Sequence, residues 1–169
     1  MELTLRPLTL ADVPALGRLE AELYLPSLHE SEEAFSRLIT LFPDGCLGAF
    51  DGEGLCGYGL AVPMPAGATL ALKAPLTAIP RDADALYIHD VAVAPRWRRR
   101  GVAARLVAAL LAAGERNGLR RADLVAVQAA EPFWERMGFV RVEAFEYAPG
   151  APATKMTLGR PRRMDGPAR

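Results

Sequence analysis

Residues 86–106 run LYIHDVAV and then APRWRRRGVAARL, and their hydrophobic period changes part-way through. Over residues 86–93 the apolar positions fit a strand. Alternation places Tyr87, His89, Val91 and Val93 on one face and Leu86, Ile88, Asp90 and Ala92 on the other. Pro95 offers no N–H to a ladder and ends the strand. Beyond Gly101 the spacing becomes helical, with Val102, Leu106 and Leu110 on one face and Ala103, Val107 and Leu111 beside them. A turn holding Arg96, Arg98, Arg99 and Arg100 therefore joins a strand directly to a helix N-terminus. The first N–H groups of a helix lack internal partners and carry partial positive charge, and arginines add donors suited to phosphate oxygens. Gly101 and Ala103 keep bulk away, so the turn reads as a phosphate or pyrophosphate site in which Gly101 admits close approach of the ligand.

The same residues carry a resemblance. The run from Arg98 to Ala103 resembles the R/Q-x-x-G-x-G/A pyrophosphate loop of the GNAT superfamily of acyl-CoA-dependent N-acetyltransferases. Val91 to Pro95, V-A-V-A-P, is similar to the end of that family's central strand. Phe133-Trp134-Glu135-Arg136-Met137-Gly138-Phe139 is similar to its F-Y-E-x-x-G-F ending. Strand, loop, helix and G-F ending occur in the family's order. The resemblance implies acetyl-CoA as co-substrate, no metal, and direct transfer to an amine without a covalent enzyme intermediate.

Composition narrows the field. A chain of 169 residues fits one domain, expected here over residues 1–159 with a basic tail at 160–169. Twenty basic and twenty acidic residues cancel, so the arginine turn is a local feature, and neither nucleic acid nor a membrane is the expected partner. An adaptor reading, with Trp97 stacked on a base, would need more basic surface than the chain offers. The start of the chain reads as a strand rather than a signal peptide, and no run approaches a membrane span, which points to the cytoplasm. Two cysteines, Cys46 and Cys56, make neither a disulfide framework nor a metal quartet and read as buried strand residues.

Along the chain, residues 2–8 alternate as a first strand. Thr9 or Asp12 caps a helix reaching Tyr24, and a second helix runs over residues 30–41 with acidic residues in its first turn. Residues 46–50 and 55–62 form a hairpin. Residues 63–85, with four prolines, read as a long loop holding one short strand over residues 68–73, and the resemblance implies that part of it borders the acceptor cleft. After the central strand and helix come a strand over residues 122–128, a short helix from Glu131 to Met137, and two closing strands. This order predicts an α+β fold, a mixed sheet with helices on its faces. The resemblance makes that sheet mostly antiparallel and splayed at its central strands to hold CoA.

The resemblance also implies roles. Backbone groups of Val91, Ala92 and Val93 would meet the pantetheine arm as an added strand, and an N–H there would polarise the thioester. Arg98, Arg99, Arg100, Gly101, Val102, Ala103 and Ala104 would hold the phosphates, and Gln128 would touch CoA where the sheet splays. The acceptor must lose a proton, since an alkylamine of pKa about 10.4 is only about one part in 2,500 neutral at pH 7. His89 is the leading base, with Asp90 on the opposite face as an alternative and a water relay as a third. Trp134 stands where many family members carry a tyrosine that protonates the departing thiolate, and indole is no useful acid. Tyr87 is the leading substitute, ahead of the more distant Tyr58 and Tyr147, although a thiolate of pKa about 8.5 can also leave unaided. His29 reads as a surface residue. The acceptor, a small molecule or a peptide, is open, as is homodimerisation, and a CoA-binding sensor with little catalysis is the rival reading.

Overall fold

The computed structural model describes residues 2–52 and 54–159; the basic tail expected at 160–169 lies outside the described residues. Seven strands and four α-helices follow the order read from the sequence. They are β1 (Thr4–Pro7), α1 (Val13–Leu23), α2 (Glu32–Leu41), β2 (Cys46–Asp51), β3 (Gly54–Met64), β4 (Ala85–Val93), α3 (Val102–Arg116), β5 (Ala122–Val127), α4 (Glu131–Arg136), β6 (Val140–Ala148) and β7 (Ala151–Leu158). The strands form one sheet in the order β1-β2-β3-β4-β5-β7-β6. All neighbours are antiparallel except β4 and β5. Among the described residues, no helix is long and apolar enough to cross a membrane.

The helical period beyond Gly101 is the stripe that α3 lays on the sheet. Leu106, Val107 and Leu110 are wholly buried, each contributing about 1.5–3 kcal/mol relative to exposure. Gly59 permits the close fit, because a Cβ there would stand 2.8 Å from a Leu110 methyl. On the opposite face, α1 and α2 cover Tyr58, whose ring meets Phe35 edge-on at 6.3 Å. Residues 68–73 form turns and coil rather than the expected strand. Two of their backbone groups are engaged by side chains instead, Leu70 O by Tyr147 and the Lys73 N–H by Glu30.

Two irregularities shape the centre. First, β4 and β5 pair only at Leu86–Ile88 against Ala122–Leu124, and past Ile88 they part. The only parallel pair in the described sheet is therefore open at its C-terminal end. Second, Leu60 pairs with Asp90 but Ala61 with Ile88, so His89 is an extra residue in β4, a β-bulge. The bulge corrects the simple alternation. Leu86 lies against Gly114 of α3, and Val91 pairs with Gly59, which also faces α3. Tyr87, His89 and Asp90 instead all turn toward the α1–α2 side. Asp90 is not on the face opposite His89.

Candidate active site

The open end of the β4–β5 pair leads to the arginine turn. Ala94 gives its N–H to Cys56 O on the β3 side at 2.8 Å, so by alternation the amides of Val91 and Val93 point toward the gap while those of Ala92 face β3. Val91 O accepts from the Tyr24 hydroxyl at 3.2 Å and Val93 O from Arg98 Nε at 3.4 Å. The turn then winds through Arg99 (φ 58°) to Gly101 (φ 76°), both left-handed. Gly101 is the N-cap of α3 with no side chain to offer, and the first intrahelical bond is Arg105 N–H to Gly101 O at 3.0 Å. The N–H groups of Val102, Ala103 and Ala104 thus lie ahead of the helical ladder at its positive end. A Cβ on Gly101 would meet open space. Its positive φ of 76° is one that a residue bearing a side chain adopts only under strain.

Arg98, Arg99 and Arg100 are exposed around this turn, and the Arg100 guanidinium lies over the Trp97 ring at 5.2 Å. Trp97 itself is buried in the core, which removes it as a stacking platform. Arg96 makes an ion pair with Asp51 at 3.5 Å and belongs to the β2–β3 corner.

Beneath the gap, on the α1–α2 side, lies a cavity of about 280 Å³. Its walls bring together Tyr87, His89, Asp90, Val91, Arg98, Gln128 and Trp134 from the sequence-derived candidates. They also include Tyr147, weighed above as a distant alternative to Tyr87, and Glu20, Tyr24 and Glu30, whose part no sequence pattern announced. Glu30 is the most consequential. Read as an acid in the first turn of a helix, it instead precedes Ser31, the true cap, whose Oγ accepts the Ala34 N–H at 3.1 Å. Freed from the helix, Glu30 Oε1 reaches His89 Nε2 at 2.9 Å, and Oε2 accepts the Lys73 N–H at 2.7 Å. Both side chains are buried, His89 at 3% exposure and Glu30 at 4%.

This pair fixes a tautomer. Burial works against the Glu30 carboxylate, but His89 and the N–H groups of Lys73 and Ser31 together hold its pKa below the usual range. An ionised carboxylate only accepts, so Nε2 of His89 carries the proton. In the neutral ring Nδ1 is then the basic nitrogen, and Nδ1 is buried without a hydrogen-bond partner. A carboxylate orienting an imidazole whose other nitrogen is free is the arrangement of a general base.

Asp90 is held differently. Tyr24 and Tyr58 each donate to one of its oxygens at 2.6 Å. Burial raises its pKa, against the pull of those two hydroxyls. Tyr58, thought distant, is thus an immediate neighbour. Glu20 accepts the Glu30 N–H at 2.8 Å, and burial, reinforced by the charges of Asp90 and Glu30, pushes its carboxyl up to about 7. His29, expected at the surface, is half-buried and donates from Nε2 to Tyr24 O at 2.8 Å. Gln128, at φ 52°, spends its amide on Leu23 O and the Leu25 N–H, tying the end of β5 to the end of α1.

The sequence matches the profile of the acetyltransferase (GNAT) family over residues 14–139, most of the chain. It belongs to the GNAT family.

No curated protein matches it significantly. Among solved structures, this GNAT protein is similar to the loading GNATL domain of CurA from Lyngbya majuscula, with a TM-score of 0.81 and 13% identity over 94% of this chain and 98% of that one. It is similar to a chain of the NatC complex bound to Gag peptide and CoA, with a TM-score of 0.74 and 20% identity over 95% and 100% of the two chains. It is also similar to the PaiA N-acetyltransferase of Thermoplasma acidophilum in complex with coenzyme A, with a TM-score of 0.69 and 15% identity over 95% and 100%. At such identities the likeness is one of fold. Family membership makes the chain an acyl-CoA N-acyltransferase, with acyl transfer from CoA as its chemistry.

Within this GNAT fold, Trp134 is buried at the cavity wall, its ring edge-on to Phe133 at 5.0 Å and Phe139 at 5.4 Å. Tyr87 and Tyr147 both line the cavity, and Tyr147 donates to Leu70 O at 2.7 Å. Burial pushes Tyr87 up to about 12 and raises Tyr147 as well. Cys46 and Cys56 are buried and unpaired, their thiols pushed up to about 12 and 11 by burial.

Proposed function

We propose that this protein, through a single acetyltransferase domain spanning residues 1–159, moves the acetyl group of acetyl-CoA directly to a primary amine. The observation that carries the reading is the parting of β4 and β5 beyond Ile88, immediately before an uncapped helix N-terminus. The outward amides of Val91 and Val93 receive the pantetheine arm as a strand would. Arg98, Arg99 and Arg100, with the N–H groups of Gly101 to Ala104, receive the phosphates. Gln128 serves the site mainly by tethering β5 to α1.

The amine enters the cavity as an ammonium ion. His89 Nδ1 takes its proton, and Glu30 orients the ring and stabilises the imidazolium that results. The freed nitrogen lone pair attacks the thioester carbonyl carbon, an N–C bond forms, the C–S bond breaks to release thiolate, and the excess proton on the new amide nitrogen passes to that departed thiolate. A gap-facing N–H of Val91 or Val93 stabilises the carbonyl oxygen as charge develops. Asp90, with both oxygens engaged, acts as a strut joining α1, β3 and β4 rather than as the base. Tyr87 is too weak an acid, at about 12, to protonate a thiolate whose thiol has a pKa of about 8.5. The thiolate therefore leaves unaided beside Trp134, and Tyr87 lines the acceptor.

Calorimetric binding of acetyl-CoA, followed by thiol release over an amine panel, tests the reading. Binding with release by some amines supports it. Binding without release by any acceptor would favour a CoA sensor, and failure to bind acetyl-CoA would overturn the assignment of the gap and the turn.

A further inference from the structure

The acceptor end of the cavity is unusually one-sided in charge. Glu20, Glu30 and Asp90 all line it. Against them stand His89, already paired with Glu30, and Arg98, which is exposed and donates to Val93 O on the side of the phosphate turn. The crowding is visible in Glu20, whose carboxyl resists ionisation first because it is buried and then because Asp90 and Glu30 are near. A cation arriving there relieves the repulsion, whereas a further carboxylate deepens it. The rest of the wall is apolar or aromatic, with Leu28, Leu72, Tyr87 and Tyr147.

The cavity is also bordered by a fastened loop. The loop between β3 and β4 is pinned beside it by Tyr147 on Leu70 O and by Glu30 on the Lys73 N–H. Leu72, between those two fastenings, forms part of the wall. The loop is anchored at its base as well, the Ala66 N–H to Asp84 and the Gly67 N–H to Asp123, each at 2.8 Å. A cavity of about 280 Å³ with this loop along one side takes a compact molecule.

We propose that the acceptor is a small primary amine with an apolar body and no carboxylate, rather than an amino acid or a peptide N-terminus. The proposal rests on the transferase reading above and narrows it. In mechanism, Glu20 and Glu30 draw the ammonium toward His89, and the apolar wall takes the carbon skeleton. The α-carboxylate of an amino acid would be forced toward Glu20 or Asp90.

Matched pairs test this directly: phenethylamine against phenylalanine, isoamylamine against leucine, and cadaverine against lysine. Each is titrated calorimetrically into the full chain saturated with CoA, and each is assayed for thiol release with acetyl-CoA. The amine of each pair should bind about 100-fold more tightly than its carboxylated twin, the size expected of an added like charge in a partly buried site. Replacing Glu20→Gln and Glu30→Gln together should shrink that ratio to about tenfold or less. Equal or tighter binding of the amino acids would overturn the proposal. So would tighter binding of a tetrapeptide amide than of any small amine, or failure of all the small amines to bind. Thiol release with amino acids would sink this proposal while leaving the transferase reading intact. Absence of CoA binding would instead fail the transferase reading, and the amine pairs would then be compared on the free protein by the same titration.

Discussion

The arginine turn and the cavity wall around His89 sit at neighbouring points on β4, yet they are built by opposite means. The turn uses consecutive residues, Arg98 to Ala104, and presents mostly backbone: amides ahead of a helical ladder and a glycine at positive φ. The cavity wall uses side chains gathered from across the chain. Glu30 and His89 are 59 residues apart, Tyr24 and Asp90 are 66 apart, and Tyr147 reaches Leu70 across 77. A backbone-built site tolerates change in most side chains and binds a group common to many reactions. A site built from side chains can change with each substitution. On the function proposed above, the turn is thus suited to a fixed co-substrate and the cavity wall to a particular acceptor.

If that division holds, variants should separate cleanly. The largest effect is expected from His89→Ala, which should lower kcat by about 10²–10⁴-fold, the usual worth of a positioned base. Its CoA affinity should stay within error by calorimetry. A pH–rate profile identical to that of the wild type would remove His89 as the base. Glu30→Gln should lower kcat by about 10–100-fold, as loss of an orienting partner commonly does. Binding of CoA should again be spared, and a loss of CoA affinity would mean that the two regions are coupled. Gly101→Val should do the reverse. Forcing a β-branched residue to φ 76° costs on the order of 1–2 kcal/mol. CoA should therefore bind about 5–30-fold more weakly, with kcat at saturation unchanged.

The smallest effect is on stability. Folding raises the Glu20 carboxyl to about 7 from an ordinary value of 4.5. A raised carboxyl stabilises the folded state fully below about 4.5, and that contribution is lost as pH climbs through about 7. Glu20→Gln should then gain about 1–2 kcal/mol at pH 8 and little at pH 5. This is less than the full shift implies, because the cavity admits water. Denaturant midpoints at the two pH values would show it, and equal gains at both would contradict the origin assigned to the shift.

The same contrast explains what could be read from sequence. The turn, α3, the strand order and the G-F ending are local patterns, and the fold places them where their spacing indicates. His89 and Asp90 were visible as chemistry on the central strand, but their faces were not, because the bulge is imposed by pairing with β3 and leaves no mark in β4 itself. Glu30 carried only the signal of a helix start. Its partner lies on a strand formed much later in the chain, and only the closing of α2 over the sheet brings the two together. Residues 68–73 have a strand-like composition, but distant side chains, Tyr147 and Glu30, take up their backbone groups.

The bulge at His89 has a consequence for anyone who edits this strand. On either side of it the inward and outward positions of β4 are out of phase by one residue, so no single parity rule describes the strand. Deleting residue 89 would bring the two halves into step. Ile88 and Asp90 would then be consecutive, paired with Ala61 and Leu60 without a shift. Tyr87 and Asp90 would both keep the α1–α2 face, and the strand would lose only the imidazole. The same phase slip means that a comparison of β4 with a regular strand goes wrong on one side of the bulge unless it allows a one-residue insertion at that point. The extra residue is itself the proposed base, so in this strand the irregularity and the chemistry are the same residue.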